Sequence, residues 1–420
     1  MVKWRNEIIA GSVSFFAVMY IIIVNATILA DAGLPIQAGM MATIVVSAVG
    51  CILMGIWGKA PIILIPGMGI NAMFTYTLVY GMGLTLSQAL FTVTASGILF
   101  AIIVFTPLLH RLQSALPESL LEAVTVGIGL LLVLIGLSKG SVIYSDPGNI
   151  IGLNSFAEPE PMVTLIALLI TCILYIRNIP GALLISIAIG TALAYAAGIR
   201  PGGGMDPELS SSWNLYGAAF GSLSPVGMPW LTFGAAVFAL TLVLLFEHIG
   251  LLHAQLRISG TSDRMQRALQ ASALTVIFSG IAATSPTVSA AESAAGISAG
   301  GRTGWTAITA GLLFVITLPI LPILLLIPDQ AVAPIVIFIG GLMMPPVRKI
   351  PFESLHEGLP AFFVIAFIPL MNSIVDGMAI GFVSYAILHL ATGRYRALPA
   401  VFYIIALLFM SYIIMQAVIA

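Results

Sequence analysis

Two glutamates stand inside long apolar runs of this chain. Glu247 lies in Leu245-Phe246-Glu247-His248-Ile249-Gly250, and Glu292 is flanked by Ala290, Ala291, Ala294 and Ala295. A carboxylate at the centre of a membrane span costs roughly 2.5 to 3.5 kcal/mol on insertion scales, so each calls for a function or a partner. Ionised carboxylates only accept hydrogen bonds, so a ligand held by them must donate, and a cyclic amide or heterocycle with ring N–H groups fits. An inorganic anion fits poorly, because no Lys or Arg falls near Glu247 or within 61–80 and 286–300. Carboxylates at this depth are also natural stations for a proton. His248 is turned roughly 100° from Glu247 on a helix, which suits orienting or relaying a proton better than sharing the ligand. Asn25 and Asn71 are neutral groups that could bond a ligand or unwound backbone. Ala290, Ala291, Ala294 and Ala295 are small neighbours of Glu292 that leave room for a flat ligand, and Ala290, with Ser293 and Gly69 of the two interrupted segments, is a further candidate for substrate binding.

Other chemistries find no residues. No nucleophile and base pair occurs in the apolar runs, which argues against an enzyme. His248 and His253 miss the i, i+4 spacing of a helical metal pair, and Cys51 and Cys172 fit neither zinc nor disulfide spacing, so no metal or cofactor is expected.

The elements that must carry these residues follow from composition. Of 420 residues, 60% are hydrophobic and 7% charged, against roughly 25% charged in soluble domains. The chain is solvated by lipid. With 15 Lys+Arg against 16 Asp+Glu there is no basic excess to hold a nucleic acid. The first apolar run, 8–30, exceeds the 7 to 15 residues of a signal-peptide core and reads as an uncleaved span.

Charges and Pro/Gly clusters divide the rest into apolar segments near 36–57, 61–80, 86–109, 119–137, 161–176 and 180–198, then, after a polar Gly-rich stretch at 199–228, near 229–255, 266–283, 286–300, 304–327, 331–345, 359–375 and 377–391. This predicts an all-α polytopic membrane protein with about 14 transmembrane segments. A last stretch, 398–419, is left unassigned. Alternating sides place 13 of the 15 Lys and Arg on the side of the N-terminus and leave only Lys139 and Arg200 opposite. That split predicts a cytoplasmic N-terminus and favours two crossings over one long helix at 359–391. Seven segments per half make any internal similarity a 7+7 inverted repeat, whose site would sit at the repeat interface among interrupted segments. The third segment, with Pro61 and Pro66-Gly67, and the tenth, with Pro286 and Gly300-Gly301, look too broken for continuous helices. Half-helices there would aim free N–H groups at a ligand. His253 and Gln255, with Tyr144, Tyr216, Trp213 and Trp230, read as interfacial residues, and Asn372 and Asp376 as turn caps.

The runs Tyr20-Ile21-Ile22-Ile23-Val24-Asn25, Pro66-Gly67-Met68-Gly69-Ile70-Asn71-Ala72 and Glu292-Ser293-Ala294-Ala295-Gly296, with Gly300-Gly301-Arg302-Thr303-Gly304 after the last, resemble nucleobase permeases of the nucleobase-cation symporter-2 type, and among them the AzgA-like adenine/guanine/hypoxanthine permeases. The resemblance implies a core domain (1–110 and 229–328) and a gate domain (111–228 and 329–420) that move against one another. It further implies proton-coupled uptake of a purine nucleobase across the bacterial cytoplasmic membrane, often by a homodimer, with Glu247 and Glu292 at the site. Three departures bear on substrate: Glu247-His248 where that branch has Asp-Thr, Ala290 where it has Tyr, and Ala26 where it has Pro. Glu-His-Ile-Gly is closer to the uracil/xanthine branch, so transport of uracil or xanthine is the alternative.

Overall fold

The structure, a computed structural model, describes residues 4–109, 116–146, 150–179, 181–200 and 209–419; Lys3, Arg111 and Gly202-Gly203-Gly204 lie outside these. The apolar runs become helices because a backbone in hydrocarbon must satisfy its own N–H and C=O groups. Among the described residues, nine helical stretches are long and apolar enough to cross a membrane. This is a multi-pass membrane protein.

The first span is α1 (Trp4–Val18) and α2 (Ile21–Asp31), joined at Met19-Tyr20, and α3 (Ile36–Leu53) follows. The chain then stops being helical. Residues Leu64–Pro66 form a three-residue strand, β1, followed by α4 (Met68–Ala72), which continues in a wider π-helical turn to Gly81. After α5 (Leu86–Phe105) and α6 (Glu118–Lys139) comes a hairpin of β2 (Ile143–Asp146) and β3 (Ile150–Leu153), which the sequence did not announce. Helices α7 (Pro159–Ile176), α8 (Ala182–Ala196) and α9 (Leu209–Ala219) complete the first half.

The second half opens with α10 (Trp230–Ser259) and α11 (Met265–Ile281), and is interrupted in turn by strand β4 (Thr287–Ser289) and the short α12 (Ser293–Ser298). It ends with α13 (Gly304–Ile316), α14 (Leu321–Leu324), α15 (Asp329–Leu342), α16 (Leu355–Leu370), α17 (Ile374–Ala391) and α18 (Ala400–Ile419). The stretch 359–391 is two helices: the chain turns at Asn372, whose φ is 51°, and Gly377 then packs on Ile368 and Gly381 on Val364, an antiparallel pairing. Ser373, rather than Asn372 or Asp376, caps α17, accepting the Asp376 N–H at 3.2 Å. The unassigned 398–419 is α18, which runs back along α17 with Phe402 stacked on Phe382 and the Tyr412 hydroxyl donating to Asp376. Tyr216 and Gln255 correct the interfacial reading, since both are buried.

β1 and β4 pair antiparallel, with Leu64 opposite Ser289, Ile65 opposite Val288 and Pro66 opposite Thr287. The ladder extends beyond the strands: Ala290 N–H donates to Ile63 O at 2.9 Å and Gly67 N–H to Pro286 O at 3.2 Å. Pro61, Pro66 and Pro286 break the helices, and each strand supplies the hydrogen bonds that the other lost.

A second junction fixes α13. Glu7, buried near the start of α1, accepts the backbone N–H groups of Arg302 and Thr303 at 3.2 and 3.3 Å and the Thr306 hydroxyl at 2.5 Å. The carboxylate thus caps the N-terminus of α13, where a negative charge is favoured. Replacing Glu7 with Ala leaves two N–H groups and a hydroxyl without partners, and we expect a loss of about 2 to 4 kcal/mol, read as a lower melting temperature of the detergent-purified protein. An unchanged melt would count against this junction.

Candidate functional site

The crossing of β1 and β4 sets the position of Glu292. Two residues, Ala290 and Ala291, separate it from β4, and it stands at the start of α12, partly exposed. Ala290 is buried, and its backbone is fully engaged: the carbonyl accepts from Gln255 Nε2 at 2.6 Å while the N–H extends the ladder. Ser293 is buried beside it and accepts the Ile63 N–H at 3.0 Å. The Glu292 carboxylate therefore projects from a short stretch pinned on both sides. Its Oε1 accepts the Tyr20 hydroxyl at 2.7 Å.

Glu247 lies on α10, which packs against both β4 and α12. It is partly exposed, and among the described residues nothing donates to it or pairs with it. His248 is turned the other way. Its Nδ1 meets the Leu244 carbonyl at 2.7 Å and its ring lies 5.1 Å from that of Phe100 on α5. A carbonyl only accepts, so Nδ1 carries the hydrogen, and the buried Nε2 has no partner among the described residues.

The two asparagines differ sharply in surroundings. Asn25 donates from Nδ2 to Thr43 Oγ1 at 2.7 Å and Thr284 Oγ1 at 3.0 Å, and accepts from Ser285 Oγ at 3.0 Å. Its amide ties α2 to α3 and to the approach to β4, leaving no N–H for a ligand. Asn71, on α4, is buried with neither amide atom bonded among the described residues. Gly69, two residues before it, touches α6 so closely that a Cβ would stand 2.8 Å from Ile128 Cγ2. That contact seats α4 against α6, and any side chain at 69 would push it off.

Three residues not singled out as site candidates prove to belong to this region. Gln255 anchors Ala290. Tyr20 holds Glu292 from the joint between α1 and α2. Tyr175, near the end of α7, is within electrostatic reach of Glu292 and Tyr20 and stands edge-on to Phe338 of α15 with ring centroids 4.8 Å apart. Tyrosines are common in spans and give no warning in a sequence. Among the described residues no Lys or Arg pairs with Glu247 or Glu292, and no group of three His, Cys, Asp or Glu could hold a metal ion.

Glu247 and Glu292 are thus two partly exposed carboxylates on α10 and at the start of α12, which pack on one another beside the strand crossing, and Asn71 is a buried amide with neither atom bonded among the described residues. Residues 5–379 match the sequence model described as the Permease family. The chain belongs to this family of permeases. It is 60% identical over 384 residues to the nucleobase transporter PlAzg2 of Paenibacillus larvae, covering 91% of this chain and 77% of that protein. It is also 34% identical to the guanine/hypoxanthine permease PbuO of Bacillus subtilis over 96% of each. Among solved structures, the transmembrane domain of a cyanobacterial bicarbonate transporter, BicA, superposes with a TM-score of 0.72 at 15% identity, covering 89% of this chain and 97% of that one, a likeness of fold. The resemblance in Tyr20–Asn25, Pro66–Ala72 and Glu292–Gly304 is therefore one of family, and this permease is a transporter of the nucleobase permease type rather than an enzyme.

The asparagines give a paired test. Asn25→Ala removes three buried hydrogen bonds and should cost about 2 to 3 kcal/mol of stability, whereas Asn71→Ala breaks none and should leave the detergent melt within a degree or two while impairing uptake. Equal destabilisation by both would contradict the assignment of Asn25 to structure.

Proposed function

We propose that this permease takes up purine nucleobases (hypoxanthine, guanine or adenine) with protons across the cytoplasmic membrane. The observation that carries the reading is the Glu292 carboxylate, partly exposed at the strand crossing with Tyr20 on one oxygen, in a chain 60% identical to a nucleobase transporter. Glu247 and Glu292 accept ring N–H groups, Asn71 adds a donor and acceptor, and Tyr175 offers an aromatic face where Ala290 has none to give. Neither carboxylate meets a Lys or Arg among the described residues, so a proton can supply the compensating charge. The Glu-His-Ile-Gly run keeps uracil or xanthine as the second reading.

Uptake of labelled hypoxanthine into cells lacking their own nucleobase permeases tests both. Saturable uptake that a protonophore abolishes, and that Glu292→Gln lowers at least a hundredfold without loss of membrane protein, is the expected result. Full transport by Glu292→Gln would remove Glu292 from the site. Competition by uracil but not by guanine or adenine would turn the assignment to the second reading.

The architecture we infer is fourteen segments in two inverted halves, with the core formed by 1–110 and 229–328 and the gate by 111–228 and 329–420. Helix pairing supports it. α3 packs on α13 as α11 packs on α5, α7 on α15 as α16 on α6, and α7 pairs with α8 as α16 with α17. Each of these partnerships is what exchange of the halves would produce, and β1 and β4 meet at the centre. The Lys and Arg split supports a cytoplasmic N-terminus.

The two half-helices differ in cover. Ala295 and Ser298 of α12, with Ala291 just before it, are exposed, on the cytoplasmic side in this topology, whereas Met68–Thr75 are buried. On the outer side Asp31 of α2 and Lys139 of α6 form an ion pair at 2.8 Å, Lys139 also donates to Thr27 O, and the Tyr76 and Tyr80 hydroxyls donate to the Asp31 carboxylate and carbonyl. This supports a conformation closed outside and open inside, with Asp31–Lys139 holding the outer closure between core and gate. A part-exposed pair contributes about 1 kcal/mol, a roughly fivefold bias. With Cys51 and Cys172 replaced by Ser and a reporter Asn71→Cys, Lys139→Met should raise the rate of labelling by a membrane-impermeant thiol reagent from outside by about that factor. An unchanged rate would take the pair out of the closure.

A further inference from the structure

We propose that Tyr20 is a positioning residue for the ligand: its phenol fixes the plane of the Glu292 carboxylate and so determines which acceptor edge meets the nucleobase. The inference rests on the reading of Glu292 as the base acceptor and adds the residue that aims it.

Tyr20 is 2% exposed and stands at the joint where α1 ends and α2 begins. The backbone ladder tightens there, with Ile22 N–H donating to Met19 O and Ile23 N–H to Tyr20 O, both at 3.2 Å. The ring is thus held by its own buried backbone and by the packing around it. Its hydroxyl has one hydrogen, and that hydrogen is committed to Glu292 Oε1 at 2.7 Å. Among the described residues Tyr20 is the one side chain that donates to that carboxylate, and the backbone N–H of Glu292 itself is its other donor. A hydrogen bond to an anionic acceptor is of the stronger kind. The Tyr20 bond to Oε1, added to that local backbone contact, fixes the orientation of the carboxylate and leaves lone pairs on Oε2 for a ring N–H. Ala290 and Ala291 carry no polar side-chain atom, and the Ser293 hydroxyl accepts from Ile63 and makes no bond to Glu292 among the described residues.

Aiming and structural support predict different measurements. Tyr20→Phe keeps the ring and removes only the hydroxyl, so the detergent melt should stay near that of the parent. Hypoxanthine binding to the purified protein should weaken about tenfold, and uptake should show that factor in KM with the maximal rate within twofold. In a Glu292→Ala background the same change should weaken residual binding less than twofold, because the group being aimed is gone. A separate readout needs no ligand: the infrared carboxyl bands assigned to Glu292 by their loss in Glu292→Gln should shift in Tyr20→Phe. Unshifted bands, parent-like binding by Tyr20→Phe, or an equal further loss on top of Glu292→Ala would overturn the proposal. Absence of purine binding by the parent, with the infrared shift present, would overturn the purine reading and leave the Tyr20–Glu292 contact standing as the aim of a carboxylate for another N–H donor.

Discussion

Backbone hydrogen bonding in hydrocarbon governs this molecule. Two chain segments leave the helical state at membrane depth, and each would expose N–H and C=O groups costing several kcal/mol apiece if left unpaired. The antiparallel contact of Leu64–Pro66 with Thr287–Ser289 removes that cost for both at once, because each strand is the other's partner. Neither segment can be unwound without the other. The residues that look decorative around this crossing are its supports: Ser293 takes the Ile63 N–H, Gln255 covers the Ala290 carbonyl, and Asn25 draws Thr43, Thr284 and Ser285 together behind it. Once the crossing is fixed, Glu292 has little freedom, since it begins the short helix that leaves the crossing.

The breaks themselves are legible in the sequence because proline cannot continue a helix, and Pro61, Pro66 and Pro286 mark both. The strand pairing is not. Three residues are too few to show an alternating pattern, and the partners lie more than two hundred positions apart. Glu247 and Glu292 stand out because the insertion cost of a carboxylate is large enough to demand a reason. Asn25 and Asn71 look alike on that scale, and the structure separates them: partners from α3 and from the approach to β4 saturate one, whereas the other is buried without any. That difference depends on which distant helices arrive at each position, and a single sequence has no term for it. Tyr20 and Tyr175 escape notice for the opposite reason. An amphipathic ring is cheap in a membrane, so its presence raises no question until a carboxylate is found beside it.

The length of α2 connects the two polar sites that lie outside the crossing. Tyr20 precedes its first residue and Asp31 is its last, so about 16 Å of helix separates the donor to Glu292 from the acceptor of Lys139. The interior of α2 is buried from Ile21 to Leu29, and a short, fully packed helix moves as a body rather than bending. Loss of the Asp31–Lys139 pair would remove one tie between the Asp31 end of the helix and α6, whereas the other end carries the Tyr20 hydrogen bond to Glu292. Tight packing makes such an element choose between discrete positions instead of drifting. On the proposed reading of Glu292 as the base acceptor and of Asp31–Lys139 as the outer closure, both are tied to one helix, and a base that binds better to one aim of Glu292 would, by linkage, favour one state of the outer pair.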